Sequence, residues 1–247
     1  MTTPPTEARK KLIDRTIKEL KSFGIWYQLD VLYFFAAETQ QAALLNWIKN
    51  AHNATAVNSP TFTVDRGFTG DGATSYINSN FTPLSQGVRY LGASAMIAIY
   101  SRTNSTGAIV DVGSRDGSLR WTQVELRSAS DTLYTRFNSN AAGGPNGDGR
   151  LPTYNTDSRG FFSVNRVGDN YDVIKAGAII NTLTLSVTGS PSQPSYIGAM
   201  NNNGTALFFT QRQIAATAFG GSLSASQHYH FNRIVEYYMD QVGAGVQ

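Results

Sequence analysis

Cleavage of a glycosidic bond needs two carboxyl groups, one acting as acid and the other as base or nucleophile. On a β-strand the two would stand at alternate positions, so that both face one cleft. The chain has five glutamates, at positions 7, 19, 38, 125 and 236. Only Glu125 lies in a predicted strand, and its neighbours two residues away are Gln123 and Arg127. The sequence therefore predicts no catalytic residue.

Nucleophilic and metal-assisted chemistry have little support either. The chain has no cysteine and no Gly-x-Ser-x-Gly elbow. His228 and His230 stand two apart on a predicted helix, about 200° round its axis, so they cannot share one metal ion. We interpret both as surface residues and predict no cofactor.

Aspartates in predicted loops offer the oxygen atoms that calcium prefers. The same residues are common turn formers, which is the interpretation that we favour. We therefore predict no metal site among them; they are Asp65, Asp71, Asp111, Asp116 and Asp148.

Aromatic residues could form a ligand platform, and we assign Trp121, Tyr134 and Tyr154 as candidate ligand-binding residues. Strand alternation places Gln123 and Glu125 on the same face as Trp121. Tyr171 and Tyr196 are further candidates. The alternative is that these rings are core residues, as most aromatics in a sandwich are.

The net charge of +3 is confined to the N-terminus. Residues 1–21 hold six of the 20 basic and three of the 17 acidic side chains, so the rest of the chain is neutral. A nucleic-acid-binding protein would need a basic stripe on its folded body, and we predict no such partner. No apolar run approaches the roughly 18 residues of a membrane span, and no signal peptide is recognised. We expect a soluble protein made in a cytoplasm.

An N-terminal helix is predicted from Thr6 to Phe23, with Gly24 as its stop. We predict that residues 1–24 form an attachment segment and residues 25–247 a separate sandwich domain. The helix would use its apolar stripe to assemble with other chains, and its deletion would leave the sandwich folded. The alternative is that the stripe packs on its own domain. The assembly residues are Leu12, Ile13, Ile17 and Leu20.

The body of the chain predicts a mainly β fold, a two-sheet sandwich of the jelly-roll type. A strand at Leu29–Phe35 and a short helix over Glu38–Asn50 come first. Residues Asn138–Asp157 read as a long loop, and a capping box at Ser224–Gln227 starts a C-terminal helix on the edge or open end of the sandwich. Eleven further strands are predicted at 61–66, 75–78, 94–101, 108–112, 119–126, 132–137, 160–167, 172–176, 179–186, 196–200 and 206–218.

Several short motifs in the body of the chain point to a family: Gly67-Phe-x-Gly-x-Gly72, Tyr196-Ile-Gly-Ala, Arg212-Gln-Ile-Ala-Ala and Phe219-Gly-Gly-Ser-Leu-Ser224. Through them, most of residues 26–243 resemble phage and prophage structural proteins with a concanavalin A-like (lectin/glucanase, laminin-G-like) domain. The Glu-x-Asp-x-(x)-Glu motif that marks the glycan-cleaving members is missing from the sequence.

The resemblance implies a virion protein, made in the host cytoplasm, that displays the sandwich on a tail fibre, tail tip or head as a decoration component. Its partners would be other virion proteins and copies of itself, with a trimer favoured. The alternative is a glycan-binding receptor-recognition module of the tail, with a host surface glycan as partner. A polysaccharide-cleaving enzyme is the third reading. No insertion into a membrane is expected.

Overall fold

Two β-sheets face each other, and two long helices cover the outer face of one of them. The computed structural model describes residues 4–140 and 149–246. In these residues the helices are α1 (Glu7–Ser22), α2 (Gln40–Ala43), α3 (Pro83–Gln86) and α4 (Ala225–Gln241). The strands are β1 (Leu29–Phe34), β2 (Thr55–Val57), β3 (Thr61–Thr63), β4 (Gly67–Thr69), β5 (Tyr76–Asn78), β6 (Ser94–Ser101), β7 (Val112–Arg115), β8 (Trp121–Glu125), β9 (Thr132–Ser139), β10 (Leu151–Tyr154), β11 (Gly160–Val167), β12 (Asn170–Lys175), β13 (Ala178–Thr184), β14 (Tyr196–Ile197), β15 (Met200–Asn202), β16 (Thr205–Leu207) and β17 (Gln213–Gly220).

The strands divide into two sheets. Sheet A has the order β13-β12-β11-β6-β17-β4-β3, with β1 also paired to β17. Sheet B has the order β10-β9-β8-β7-β14-β5-β2; β15 joins it through β7, and β16 pairs with β15. All described pairs are antiparallel except β15 with β7. The predicted mainly β two-sheet sandwich with N- and C-terminal helices is confirmed.

Sheet A is apolar on both faces because both are covered. In β6, Ala95, Ile97 and Ile99 enter the inner core between the sheets. The alternate residues Met96 and Ala98 face the helices, where they join an outer core. This is why β1 and β6 read as continuous hydrophobic runs.

The helix α4 lies across the outer face of sheet A and not on an edge or open end, which corrects the sequence-based expectation. Small side chains on the central strands, Ala98, Ala216 and Ala218, let the helix approach closely. Phe231 is buried against Phe161, with ring centroids 5.1 Å apart. The predicted capping box is confirmed, since Ser224 and Gln227 bond each other's backbone N–H groups.

The helix α1 packs beside α4. Leu20 is fully buried in the outer core. Arg9 donates to the Tyr238 hydroxyl at 3.2 Å and to Asp65 at 2.7 Å. The helix therefore contributes to the core of the chain, as the alternative interpretation of its apolar stripe has it, while the attachment role of residues 1–24 stays a prediction.

Several other local predictions were wrong. The strand expected over 108–112 is a loop as far as Val112, where β7 begins, and the strand expected over 206–218 is divided into β16 and β17. The helix expected over 38–50 is only the four residues of α2, because residues 44–54 form a loop that the Asn46 side chain stabilises by bonding the backbone of Leu32 and Ala51. The loop expected over 138–157 contains the end of β9 and all of β10. The strand β10 lies at an edge of sheet B, which is where a proline such as Pro152 is tolerated.

Candidate ligand-binding face

The outer face of sheet B, on the side away from the helices, brings the three predicted ligand-binding aromatics together. Val124 and Leu133 point into the inner core, so their sequence neighbours point outward. Pairing places Glu125 opposite Tyr134. The outward residues form what we call the sheet B face: Arg115, Trp121, Gln123, Glu125, Tyr134, Arg136 and Tyr154, with Arg150 beside them.

Trp121 lies between two arginines. The guanidinium carbons of Arg115 and Arg136 are 4.6 and 4.5 Å from its ring centroid. Arg115 is its direct cross-strand partner, and Arg136 also donates to the Ser139 carbonyl at 3.1 Å. The indole Nε1 is buried without a hydrogen-bond partner among the described residues. The stack therefore fixes two cations on one aromatic surface.

Glu125 and Arg150 form a second charged group on this face. Arg150 Nη1 lies 3.2 Å from Glu125 Oε2, and its guanidinium carbon lies 5.0 Å from the Tyr134 ring centroid. Burial of Glu125 raises the pKa of its carboxyl to about 7, although Arg150 acts in the opposite direction. Near neutral pH both the protonated and the ionised forms of this carboxyl are therefore populated.

An open cleft of about 430 Å³ lies over this second group. It is lined by Gly107, Ala108, Glu125, Ser128, Ala129, Ser130, Tyr134 and Arg150. Its size falls within the range of small-molecule sites, about 300–1,000 Å³.

The other three aromatic candidates differ from one another in their exposure to solvent. Tyr154 is 77% exposed and stands on the same outer face, one diagonal position from Tyr134. Tyr171 is buried in the inner core, and Tyr196 is 7% exposed and stacks on Tyr76. Trp121, Tyr134 and Tyr154 thus share a surface, whereas Tyr171 and Tyr196 belong to the packing.

Asp111 is the other carboxylate that raises the pKa of Glu125, but it cannot reach a ligand on the sheet B face. Asp111 is completely buried and forms a 2.7 Å ion pair with the equally buried Arg212. It also accepts from the Leu126 N–H and the Thr210 hydroxyl. Its role is to join the loops at one end of the sandwich.

The predicted loop aspartates act as turn formers or ion-pair partners. Asp71 accepts three backbone N–H groups, which hold the pKa of its carboxyl well below the ordinary value. Asp116 accepts from Ser118, Arg120 and Ser192. Asp148 lies outside the described residues. Within the described part of the chain, no cluster of His, Asp or Glu could hold a metal ion.

One histidine prediction was wrong. His228 is buried, because α4 turns it towards sheet A, where its Nδ1 lies 3.1 Å from Ser163 Oγ. Burial lowers the pKa of His228 to about 4. His230 is only partly buried and stacks on Phe23 at 3.6 Å.

The four predicted assembly residues are divided by the fold. Leu20 is in the outer core and Leu12 packs against it. Ile13 and Ile17 line an apolar groove beside α1. Only Leu20 is fully buried, whereas Leu12, Ile13 and Ile17 are half-buried.

The arginines of the sheet B face were missed by the sequence analysis. Their signal was available: Arg115 falls on the alternation that ends β7, and Arg136 shares the outward parity of Tyr134.

Comparison with solved structures supports the fold. A mutant of Trypanosoma rangeli sialidase that displays trans-sialidase activity matches 96% of this chain with a TM-score of 0.56 and 11% identity, while the match covers 40% of that chain. Domain 4 of AbnA, an extracellular arabinanase from Geobacillus stearothermophilus solved with arabinotriose, matches 83% of this chain and 98% of its own, with a TM-score of 0.47 and 12% identity. A carbohydrate-binding module (CBM40) of a Ruminococcus gnavus sialidase, solved with α2,3-sialyllactose, matches 57% of this chain and 82% of its own, with a TM-score of 0.42 and 16% identity.

At this level of identity the likeness to the sialidase shows the fold alone, a two-sheet β-sandwich. No protein-family model matches the chain, and a search of curated proteins gives no match. Among the described helices, none is both long and apolar enough to cross a membrane.

Proposed function

We propose that the chain is a glycan-binding module and that the sheet B face is its binding surface. The observation that carries this proposal is the stack of Arg115, Trp121 and Arg136 beside the cleft of Glu125, Tyr134 and Arg150. The exposed ring of Tyr154 offers an apolar surface to the C–H side of a sugar, and the arginines that stack on Trp121 offer donors to its oxygens. The sheet supplies a rigid support for both.

The charge of this face favours an acidic glycan. Among the described residues of this face, three arginines stand with one carboxylate. Arg115 and Arg150 are half-buried, whereas Arg136 and the paired carboxylate of Glu125 are buried. Arginine recognises carboxylate and sulfate groups through paired N–H donors. A sugar that carries either group would therefore bind more tightly than its neutral counterpart.

Calorimetric titration with α2,3-sialyllactose and with lactose tests the proposal, because the two ligands differ only in the acidic sugar. A Trp121→Ala variant should weaken binding by about 30-fold or more, a loss of about 2 kcal/mol, because it releases Arg115 and Arg136 from the ring on which they stack. Tyr27→Ala, which removes an exposed ring from the helix side of the molecule, is the matched control and should bind normally. Thermal melting of each variant shows whether it remains folded.

Two outcomes separate the parts of this proposal. Equal binding of lactose and sialyllactose that is lost in Trp121→Ala would support glycan binding and contradict the acidic preference. The proposal as a whole would be contradicted if the chain bound none of the ligands tested in the same titration: lactose, sialyllactose, galacturonate and sulfated oligosaccharides.

We also propose that the bound glycan is not cleaved. A glycosidase needs a second carboxyl group beside the first, and on the described part of the sheet B face Glu125 has only arginines, tyrosine and glutamine as neighbours. Prolonged incubation followed by chromatography should return the oligosaccharide intact. Release of sugar by the parent protein that disappears in Glu125→Gln would overturn this.

Display of the module on a virion, with other virion proteins as partners, stays a prediction from the sequence resemblance. Immunogold labelling of purified phage particles would test it, and labelling confined to unassembled material would count against it. Light scattering of the purified chain tests the favoured trimer.

A further inference from the structure

The cleft on the sheet B face has a carboxyl group at its base. Glu125 lines the cleft although its side chain is only 3% exposed. Among the described residues of the lining it is the one carboxylate, and Arg150 is the one cation. Part of the lining is the turn between Arg127 and Asp131, which neutralise each other in an ion pair of 2.6 Å. A ligand in the cleft would therefore meet Glu125 and Arg150 together.

Several groups face Glu125 from the elements packed around it. Arg150, which precedes β10, donates to Glu125 Oε2 at 3.2 Å. Tyr134 stands opposite on β9, with its ring beside the Arg150 guanidinium. Asp111 before β7 and Arg212 before β17 also act on the carboxyl, but they form an ion pair with each other at 2.7 Å, so their effects largely cancel. The ionisation of Glu125 itself is therefore the variable charge of the cleft.

Protonation of Glu125 would change the cleft in two ways that a bound acidic group would sense. The cleft becomes one charge more positive, and a carboxylate oxygen that could only accept becomes an O–H donor. Burial raises the pKa of this carboxyl to about 7, so the change takes place near neutral pH. A carboxylate or sulfate of the ligand would be repelled by the ionised form and hydrogen-bonded by the protonated one.

We propose that Glu125 determines the preference of the cleft for acidic glycans, because it takes up a proton when such a glycan binds. This inference rests on the proposed glycan-binding function. The acidic group of the sugar lies in the cleft beside Arg150 and accepts a hydrogen bond from protonated Glu125. Affinity for an acidic glycan therefore rises as the pH falls through neutrality, whereas affinity for a neutral glycan changes little.

Calorimetric titration of the full chain with α2,3-sialyllactose tests the proposal. We expect binding at least about tenfold tighter at about pH 5.5 than at about pH 8.5, the result of a rise of about one unit in the pKa of Glu125 in the complex. The ligand carboxylate stays ionised in this range, since ordinary carboxyls titrate near pH 4. Lactose should show a change of less than about twofold.

The same titration near pH 7.5, in two buffers of different ionisation enthalpy, counts the protons that binding takes up. With the pKa values above, we expect about half a proton for each sialyllactose bound. This readout separates proton-coupled binding from a structural role of Glu125, because a residue that only supports the fold takes up no proton when the ligand binds.

Two variants assign the proton to the cleft. Glu125→Gln, which keeps the shape and loses the ionisation, should bind sialyllactose at about pH 8.5 within about threefold of the parent at about pH 5.5, without proton uptake. Glu236→Gln is the matched control. Burial also raises the pKa of Glu236 to about 7, but this carboxyl lies on α4 and accepts from the Tyr100 hydroxyl at 2.8 Å. It should keep the pH dependence and the proton uptake of the parent.

Two histidines lie away from the cleft, so their protonation cannot explain an effect that Glu125→Gln abolishes. His230 is on α4, beyond sheet A, and His52 precedes β2, at the other end of sheet B from β9 and β10. Thermal melting at both pH values shows that each variant is folded.

The results distinguish this inference from the function on which it rests. Sialyllactose binding that is equally tight at both pH values, or tighter at the higher one, would overturn the inference and leave glycan binding intact. Proton uptake that persists in Glu125→Gln would overturn it as well, because another group would then carry the proton. Binding of no glycan at either pH would overturn the proposed function and this inference together.

Discussion

At Glu125, the position of the residue could be predicted from the sequence, whereas its environment depends on the fold. Its position in a strand beside Gln123 and Trp121 was predictable from alternation, and so was the lack of a carboxylate two residues away. Its burial and its contact with Arg150 were not, because Arg150 comes from a separate strand region 25 residues further along the chain. These contacts decide its protonation.

The raised pKa of Glu125 predicts a specific dependence of stability on pH. A carboxyl whose pKa is about 7 in the folded state and 4.5 ordinarily binds its proton more tightly when folded. Stability from this group is therefore present below pH 4.5 and is lost as pH rises through 7, by at most about 3 kcal/mol. Glu125→Gln should match the parent at pH 4.5 and exceed its free energy of unfolding at pH 8.

Urea denaturation at the two pH values measures this difference. Glu38→Gln is a suitable control, since Thr6 bonds to Glu38 and the pKa of that carboxyl is lowered. An advantage of the Glu125 variant that is the same at pH 4.5 and pH 8 would contradict the assignment.

At the scale of elements, short-range patterns predicted what depends on neighbours in sequence. The strands β6 and β11 and the capped start of α4 are where alternation and capping chemistry placed them. The elements that were predicted wrongly depend on contacts between residues distant in sequence. The loop after α2 is stabilised by Asn46 through bonds to residues on both sides of it, and β10 exists because β9 pairs with it.

The helix α4 should contribute strongly to stability because it covers the outer core. Phe231 is 1% exposed, and its replacement by Ala should lower the free energy of unfolding by about 3–5 kcal/mol. Tyr229→Ala on the same helix, where the side chain is 49% exposed, should cost much less. Equal melting temperatures for the Phe231 variant and the parent would show that the helix does not pack as described.

The helix α1 leads to a revised expectation for truncation. Deleting residues 1–23 removes Leu20 from the outer core and leaves Tyr238 without Arg9. We now expect the truncated chain to melt at a lower temperature and to aggregate more readily, because the covered side of α4 becomes exposed. A truncated chain as stable and soluble as the parent would restore the idea of a separate attachment segment.

At the scale of the whole molecule, the layers place the helices and the sheet B face on opposite sides. The helices cover the outer face of sheet A, and the sheet B face lies beyond the inner core. This arrangement was not predictable from the sequence, since Trp121 carries no information about which layer covers which. A glycan on the sheet B face would therefore contact sheet B and its loops, while the long helices act on the stability of the fold.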